Sequence, residues 1–540
     1  MYREQPQPDS MQYSSFVNDI DRGNIKIPQF QREFVWSREE SAKLIDSIIK
    51  GYPIGTFILW KTRENLRSIK NIGAIELPTV PEGDYVEYIL DGQQRMTSIY
   101  ASLKGVKVKR KDNKLEDFSE MYIDLLAEDD EDIVITDISE KDRDKVIKLR
   151  DLLYGGIRLL SNYADELQEK LEAYKDIINR YNFSCIFVKE CPIDIATEIF
   201  TRINVGGKSL SVFEIMVAKT YDSSRNFDLA EKYDKLIEEL SKVEYSTVPN
   251  STILQTISVL LVKDCTKKQI LKLDKQKFID IWNDAAKAIQ YAVDYFRGHY
   301  RIPVSRLLPY NTLIVPFSYF FYKNKTRPNP DQEKRLEDYF WRCSLSERFS
   351  SAVEAKLAND IKIIDAILND EPAKYDYGVD ISPQAIINNG YFSTSRSYIK
   401  AILSLYAYMQ PKSFNDNSIV HISNDWLRQA NSKNYHHIFP KAYMKKQYNG
   451  NFEVNHILNI AIVDDFLNKR LIGDKAPSKY MSQFKNQNKE FDNTMKTHLI
   501  GDLDKFGILE DDYDLFIHER SKLINDELKK RIIKQTIDTV

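Results

Sequence analysis

The feature that most constrains the fold of this chain is an abrupt change of hydrophobic period in its first hundred residues. The run YVEYIL, at 85–90, has the length and composition of a buried strand. The next segment, DGQQRMTSIYASLKG, repeats its apolar side chains at the i, i+3, i+4, i+7 spacing of one helix face. These side chains are Met96, Ile99, Tyr100 and Leu103. We therefore predict a strand that runs directly into an amphipathic helix.

The rest of the first 220 or so residues mixes strand and helix signals in the same way. The segment SREESAKLIDSIIKGYP predicts a helix with Ser37 as its N-cap and Glu40 completing a capping box. A strand is predicted at 183–190, FSCIFVKE, and a helix follows it around DIATEIFTRIN. The N-terminal region is thus expected to combine strands and helices.

The remainder of the chain is mostly helical in its period, from about 225 to 370 and again up to the histidine pair HH at 436–437. The stretch KNKTRPNPDQEK, at 323–334, predicts a surface loop, and 369–384 predicts a linker into a C-terminal unit. A chain of 540 residues exceeds one ordinary hydrophobic core, so two or three domains are expected.

Charge and cysteine content exclude several classes of protein. The 77 basic and 80 acidic residues nearly cancel, so any contact with nucleic acid must come from local patches. The four cysteines are scattered and form no CxxC pair, which favours reduced thiols over disulfides or a zinc site. No stretch of 18 apolar residues occurs. We expect a cytoplasmic protein without a membrane partner.

The segment YHHIFPK, at 435–441, is unusual because the chain has only seven histidines and six of them follow position 420. Adjacent strand residues point to opposite faces, so His436 and His437 are expected to do different jobs. Asn459 lies 22 residues after His437, and Asn468 nine residues further on. A one-metal nuclease needs a histidine base, a group that orients the imidazole, and oxygen or nitrogen ligands for a divalent cation.

With IFPK after the histidines and KAPSKY at 475–480, this segment resembles the HNH, or ββα-metal, nuclease domain at the C-terminus of GmrSD-type restriction enzymes. The resemblance implies that His437 is the general base and that Asn459 braces the loop or His437. It implies His436 and Asn468 as metal ligands, with His436 standing where many HNH enzymes have Asp. The cation would be Mg²⁺, Mn²⁺ or Ni²⁺, and the imidazole ligand favours the softer metals.

The segment DGQQR, at 91–95, is the second unusual stretch. Asp91 as an N-cap and Gln94 as a capping-box partner would explain two of its residues without any ligand. A helix N-terminus with unpaired amides also attracts phosphate, and Arg95 would add a charge-assisted contact. The sequence GGKS, at 206–209, is not a P-loop, because that pattern requires glycine where Arg202 stands.

DGQQR is accompanied by IPQFQREFVW, at 27–36, and FTRINVGGKSLSVFEI, at 200–215. The three blocks resemble the N-terminal ParB-like domain of GmrSD, BrxU and SspE type phage-defence proteins, in which DGQQR is tied to nucleotide hydrolysis. The resemblance implies a nucleoside triphosphate, GTP or ATP, as cofactor. The residues that it assigns to the nucleotide site are Gln31, Arg32, Asp91, Gly92, Gln93, Gln94, Arg95, Arg202, Asn204 and Gly207.

These resemblances together predict an α+β multidomain protein. Residues 1–225 would form a ParB-like α/β nucleotide-binding domain, 226–370 a helical connecting region, and 371–540 a largely helical domain that contains the HNH motif.

The function expected is that of a nucleotide-regulated, metal-dependent endonuclease of anti-phage defence. Its partners would be nucleotide and double-stranded DNA, either modified phage DNA or DNA next to a host mark that licenses the attack. The alternative is a nucleotide-dependent DNA-binding or sensing module whose HNH remnant no longer cuts. Replacement of His437 by Ala separates the two, and whether the chain forms a homo-oligomer stays open.

Overall fold

The structure is a computed structural model that describes residues 5–539 apart from a set of short segments. Those segments are 29–30, 32–33, 65, 67, 69–70, 73–74, 79–80, 82, 110–114, 129–130, 204–209, 223, 425–434, 448–452 and 464–471. The chain divides into two compact units, Met1–Leu229 and Ala230–Val540. It is a mixed α+β protein, about 53% helical with small sheets. Apart from residues 226–229, the predicted regions 226–370 and 371–540 lie in the second unit.

The first unit carries most of the strands. Its strands are β1 (Gln7–Gln12), β2 (Ile25–Lys26), β3 (Phe57–Thr62), β4 (Asn71–Ile72), β5 (Ile75–Glu76), β6 (Val86–Asp91), β7 (Lys107–Lys109), β8 (Leu115–Asp117), β9 (Tyr122–Asp124), β10 (Val134–Ile135), β11 (Val146–Lys148) and β12 (Asn182–Lys189). Its helices are α1 (Tyr13–Asp21), α2 (Arg38–Ile49), α3 (Gln93–Lys104), α4 (Leu149–Tyr154), α5 (Gly156–Leu160), α6 (Asp165–Arg180), α7 (Ile193–Ile203) and α8 (Val212–Thr220).

The main sheet of this unit has the strand order β1-β12-β3-β6-β2. Strand β12 runs parallel to β3, which pairs antiparallel with β6, and β6 runs parallel to β2. The β3–β6 ladder is irregular between Ile58 and Leu59, and beyond this point Ile58 pairs with Asp91. The mixed sheet therefore places the last residue of β6, where DGQQR begins, beside the start of β3.

The predicted strand-to-helix junction is confirmed. Strand β6 ends at Asp91 and α3 begins at Gln93. The apolar face predicted for the helix is buried, with Met96, Ile99 and Tyr100 at 0% exposure, and it packs in the core of the unit. This burial explains why the segment forms a helix against the sheet.

Helix caps were predicted correctly in one case and wrongly in another. Ser37 and Glu40 form both hydrogen bonds of the capping box of α2, as predicted. The N-cap of α3 is Gly92, in the left-handed region at φ 94°, and not Asp91. Asp91 remains in the β3–β6 ladder because the chain turns one residue later than a side-chain cap requires.

The second unit is built mainly of helices. They are α9 (Leu229–Ser241), α10 (Asn250–Val262), α11 (Lys267–Lys272), α12 (Lys275–Gly298), α13 (Ile314–Lys323), α14 (Pro330–Leu345), α15 (Val353–Leu368), α16 (Pro383–Asn388), α17 (Ser397–Tyr408), α18 (Lys441–Gln447), α19 (Pro477–Gln487), α20 (Phe491–Thr497) and α21 (Tyr513–Lys529). The loop predicted at 323–334 is shorter than expected, because Asn329 caps α14 and Pro330 starts it.

One antiparallel strand pair interrupts the helices of this unit. Strand β13 (Tyr435–His437) pairs with β14 (Ile460–Ile462), so that His436 lies opposite Ala461 and His437 opposite Ile460. A ββα arrangement would need two strands and a helix. The segment that would supply its helix, 464–471, lies outside the described residues.

Two further expectations concern cysteines and membranes. All four cysteines are described, each is buried, and none is in a disulfide, as predicted. No helix in the described residues combines the length and apolar character needed to cross a membrane.

Candidate functional site

The two adjacent histidines lie on opposite faces of β13. His436 is 2% exposed, and its Nε2 lies 3.3 Å from the hydroxyl oxygen of Tyr480. Its ring packs edge-on against Phe414 and Tyr480, and that tyrosine donates a hydrogen bond to the carbonyl of Ile438 at 2.6 Å. The alternation of the strand therefore sends His436 into the core and leaves His437 on the other face.

His437 borders a cavity of about 220 Å³. The residues that line it come from three segments that are distant in sequence: Phe392, Ser393, Thr394, Tyr435, His437, Lys441 and Asn455. His436 does not line this cavity. The structure thus brings only one of the two histidines to it.

Asn455 holds the imidazole of His437. Its Oδ1 lies 3.3 Å from Nε2 of His437, while its Nδ2 donates to the carbonyl of Phe392 at 3.1 Å. The second contact orients the amide, so Oδ1 faces the imidazole and accepts a hydrogen bond from it. Neutral His437 then carries its proton on Nε2, and Nδ1 has the lone pair that can accept a proton.

The surroundings of His437 favour its neutral form. Burial, and after it the positive charge of Lys441, lowers the pKa of His437 to about 4. The hydrogen bond with Asn455 acts in the opposite direction and is the weakest of the three effects. At neutral pH the imidazole is therefore a proton acceptor rather than a cation.

Asn459 braces the loop that follows the histidines. Its side chain is fully buried. Oδ1 accepts a hydrogen bond from the backbone N–H of Phe439 at 2.8 Å. Nδ2 donates to the carbonyls of Phe439 and Val454 at 3.1 and 3.0 Å. Of the two alternatives predicted for Asn459, its hydrogen bonds match the bracing of the loop. The residue that contacts His437 is Asn455, which sequence reasoning missed because nothing in its local pattern marks it.

The described residues do not by themselves form a metal-binding set. Within the part of the chain that the structure describes, no group of three or more His, Cys, Asp or Glu side chains is placed to hold a metal ion. The described residues that line the cavity beside His437 include no carboxylate. Asn468, predicted as the second metal ligand, lies outside the described residues.

Arg95 of DGQQR is held by the protein itself. Its Nη1 donates to the carbonyl of Ile54 at 2.7 Å, and its Nη2 donates to the carbonyl of Thr56 at 3.0 Å and to Oδ2 of Asp91 at 3.2 Å. The guanidinium also lies 5.2 Å from the ring centroid of Phe57. These contacts tie the segment before β3 to the start of α3.

Gly92 makes this arrangement sterically feasible. A Cβ atom at this position would lie 2.5 Å from Cδ1 of Phe57 and 3.2 Å from Nη2 of Arg95. Its φ of 94° is also unfavourable for any residue with a side chain. The glycine of DGQQR is therefore required by the turn and by the close approach of Phe57.

The glutamines join two of the three sequence blocks. Gln31 donates through Nε2 to the carbonyls of Ile89 and Leu90 at 2.8 and 3.1 Å. Oε1 of Gln94 accepts a hydrogen bond from the N–H of Val35 at 2.9 Å, so the IPQFQ block packs on DGQQR. Nε2 of Gln94 donates to Oε1 of its neighbour Gln93 at 2.6 Å.

Gln93 is the residue of this cluster whose hydrogen-bonding capacity is not filled. Its side chain is only 4% exposed, and its Nε2 has no hydrogen-bond partner among the described residues. It is also the first residue of α3, where the backbone amides are not paired within the helix. Among the described residues, this buried donor is therefore unfilled.

The third block is described only in part. Arg202 lies in the last turn of α7 and forms an exposed ion pair with Glu198, with 2.6 Å between Nη2 and Oε1. Three other residues predicted for the nucleotide site, Arg32, Asn204 and Gly207, lie outside the described residues. The structure thus brings together Gln31 and the DGQQR residues.

Comparison with known proteins gives two matches. The chain is 25% identical to an uncharacterized protein of Methanocaldococcus jannaschii, in an alignment that covers 97% of this chain and 99% of that protein. Residues 13–221 match the model of the family described as GmrSD restriction endonuclease, N-terminal domain. This match spans four of the five strands of the main sheet, all but β1, together with DGQQR and its neighbouring blocks. Residues 13–221 are therefore similar to the N-terminal domain of GmrSD restriction endonucleases.

Proposed function

We propose that this chain is a DNA endonuclease of anti-phage defence, with its cleavage site at His437 and a nucleotide-binding site at DGQQR. The observation that carries the first part is the arrangement of His437. The imidazole is neutral, is oriented by Asn455 and borders a cavity. A base held in one tautomer beside a cavity is the central requirement of hydrolytic cleavage.

In this proposal His437 activates a water molecule. Nδ1 takes a proton from the water as its oxygen attacks the phosphorus of a phosphodiester, and the bond from phosphorus to one sugar oxygen breaks. The leaving oxygen then takes a proton from solvent. The proposed metal ligands remain His436 and Asn468, with Mg²⁺, Mn²⁺ or Ni²⁺ as cation. The described residues do not complete such a site, so the metal requirement is tested by experiment.

The nucleotide part of the proposal is supported by the start of α3. An unfilled donor on Gln93 and the unpaired amides of the first helical turn suit the oxygen atoms of a phosphate group. The guanidinium of Arg95 already binds two carbonyls and Asp91. Arg95 would therefore hold the backbone around this site in position rather than bind the ligand directly. GTP or ATP bound here would regulate cleavage in the second unit, on modified DNA or on DNA licensed by a host mark.

The test is a cleavage assay with full-length protein. Plasmid DNA and phage DNA with modified bases are incubated with Mg²⁺, Mn²⁺ or Ni²⁺, with and without GTP or ATP. The His437→Ala variant should lose all cleavage, whereas His421→Ala, which removes an exposed histidine of the same unit, should cleave like the wild type. Cleavage that survives in His437→Ala would refute the assignment.

A second candidate is a DNA-binding or sensing module that does not cut. It is favoured by one observation, the burial of His436 against Tyr480 and away from the cavity. This candidate predicts nucleotide-dependent DNA binding that is unchanged in His437→Ala, and no cleavage under any of the conditions above.

A further inference from the structure

The cavity beside His437 is closed by a segment that lies outside the histidine-bearing strand pair and its sequence motif. This segment, Phe392–Thr394, precedes His437 by more than forty residues. Asn455 fixes it through two hydrogen bonds: the N–H of Phe392 donates to the carbonyl of Asn455 at 2.9 Å, and Nδ2 of Asn455 donates to the carbonyl of Phe392 at 3.1 Å. The side chain that orients His437 therefore also positions the opposite wall of the cavity.

The residues directly before Phe392–Thr394 are also held by backbone contacts with the residues that follow Asn455. Tyr391 and His456 form an antiparallel bridge, and the N–H of Ile457 donates to the carbonyl of Gly390 at 2.7 Å. Gly390 has no room for a side chain, because a Cβ atom there would lie 1.9 Å from Nε2 of His456. The wall is thus attached by consecutive backbone contacts and is part of a built cavity.

The polar groups that line the cavity match an anion. Ser393 and Thr394 carry hydroxyl groups, that of Ser393 lying 2.8 Å from the hydroxyl oxygen of Ser395, and Lys441 carries an ammonium group. Among the described residues that line the cavity, none carries a carboxylate. In the described part of the chain, no hydrogen bond or ion pair engages the Nζ of Lys441, a residue that is exposed at the start of α18. Hydroxyl donors beside a cation without an acidic partner are typical of phosphate-binding sites.

Lys441 also lies close enough to affect the base. Lys441 and His437 line the same cavity. Lys441 follows His437 by four residues and is the first residue of α18, directly after Pro440. An anion bound by Lys441 would therefore lie within electrostatic range of the imidazole.

We propose that Lys441, together with the hydroxyl groups of Ser393 and Thr394, holds the phosphodiester group of DNA against His437. This inference rests on the proposed function and assigns the substrate contacts of the same site. Lys441 neutralises the phosphate charge, and the two hydroxyl groups fix its oxygen atoms on the opposite wall. These three residues bind and position the substrate, while His437 takes the proton.

The first experiment measures binding separately from cleavage. In the His437→Ala background, the affinity for a short DNA duplex is measured by fluorescence anisotropy across a range of salt concentrations. Lys441→Ala should weaken binding roughly 10-fold and reduce the slope of log Kd against log salt by about one, because one phosphate contact is lost. The control is Lys446→Ala, which removes a lysine of the same helix that is already paired with Asp474. Equal affinity and equal slope in the two variants would overturn the proposal.

The second experiment uses cleavage by the full-length chain. Lys441→Ala, Ser393→Ala and Thr394→Val should raise the KM for DNA by roughly 3- to 10-fold each and weaken inhibition by inorganic phosphate. Lys446→Ala should change neither quantity. A fall in kcat with unchanged KM and unchanged phosphate inhibition in all three variants would overturn the proposal.

The two experiments separate failure of this inference from failure of the proposed function. A wild-type chain that never cleaves refutes the endonuclease, yet the binding experiment still tests Lys441. Binding of an RNA duplex of the same sequence is measured in parallel. Dependence on Lys441 for RNA and not for DNA would overturn the assignment to DNA.

Discussion

Asn455 connects His437 to Phe392, with its Oδ1 3.3 Å from the imidazole Nε2 and its Nδ2 3.1 Å from the carbonyl of Phe392. One amide thereby sets the tautomer of the proposed base and the position of the cavity wall. Neither contact depends on the sequence neighbours of the histidine. The orientation of the base is therefore a property of the tertiary fold.

Replacement of Asn455 by Ala should reduce cleavage roughly 100-fold, because His437 would lose the acceptor that keeps its proton on Nε2. The effect should fall on kcat, which single-turnover cleavage with excess enzyme measures. Asn493→Ala, which removes an exposed asparagine side chain of the same unit, is the control. If both variants cleave at the wild-type rate, Asn455 has no role in orienting the base.

Arg95 should matter for stability even without nucleotide. Arg95→Ala removes two hydrogen bonds to carbonyls and one to Asp91, so the segment at Ile54–Thr56 should open more readily. We expect a cost of about 2 kcal/mol in its local opening free energy. Hydrogen–deuterium exchange of the nucleotide-free protein measures this cost. An unchanged exchange rate at 54–57 would mean that Arg95 serves only a ligand.

Gly92 and Gly83 offer a matched pair of substitutions, because their φ angles are 94° and 93°. Both Ala variants should lose about 1 kcal/mol from the left-handed backbone alone. Gly92→Ala should lose more, since its Cβ would lie 2.5 Å from the ring of Phe57, whereas nothing lies within 4 Å at Gly83. Chemical denaturation of the two variants measures the difference. Equal losses would show that Phe57 moves aside without cost.

Local signals predicted the elements that depend on local interactions. The capping box of Ser37 and Glu40 and the buried face of α3 follow from spacing alone, and both were predicted correctly. The wrong N-cap at Asp91 shows the limit of such reasoning. Asp91 fits the cap pattern, but in the structure its carboxylate binds Arg95 and its backbone pairs with Ile58, two contacts that depend on the sheet.

The candidate site was predictable only where its chemistry resides in one short motif. His437 is found from its neighbours in sequence, whereas Asn455 and the wall at Phe392–Thr394 are identified only by their contacts. That the two histidines lie on opposite faces followed from strand alternation. The packing of His436 against Tyr480 did not, because the two residues are 44 positions apart.

Arg520 should be critical for the strand pair that carries His437. Its side chain, in α21, is fully buried. The guanidinium donates to the carbonyls of Leu458, Ile460 and His498 at 2.7, 2.8 and 2.8 Å. It also lies 4.7 Å from the ring centroid of Tyr406. Among the described residues no carboxylate pairs with it. Burial lowers the pKa of its guanidinium, and the neighbouring Tyr406 acts in the opposite direction.

Arg520→Met would leave those carbonyls without donors and should destabilise the second unit by about 3 kcal/mol or more. Hydrogen exchange at β14 reports this loss, and cleavage should fail at a lower temperature than in the wild type. Lys522→Met removes an exposed lysine of the same helix and should stay within about 0.5 kcal/mol of the wild type. A wild-type exchange pattern in Arg520→Met would show that water replaces the guanidinium.

His498 should make the second unit sensitive to acid. Burial lowers its pKa from 6.5 to about 4, and its Nε2 lies 2.7 Å from the carbonyl of Lys412, to which it donates. The unfolded chain binds a proton below pH 6.5, but the folded chain does so only near pH 4. Stability is therefore complete above pH 6.5 and falls as the pH decreases toward 4, by up to about 3 kcal/mol for this histidine.

His498→Gln keeps a donor near the carbonyl of Lys412 and removes the titration, so unfolding free energy should depend less steeply on pH between 6.5 and 4. Urea denaturation at several pH values measures the slope. The slope should not vanish, because His437 has a pKa lowered to about 4 as well and contributes in the same direction. The exposed His518 provides the control variant His518→Gln. Equal slopes in both variants would mean that His498 is protonated in the folded protein at no cost.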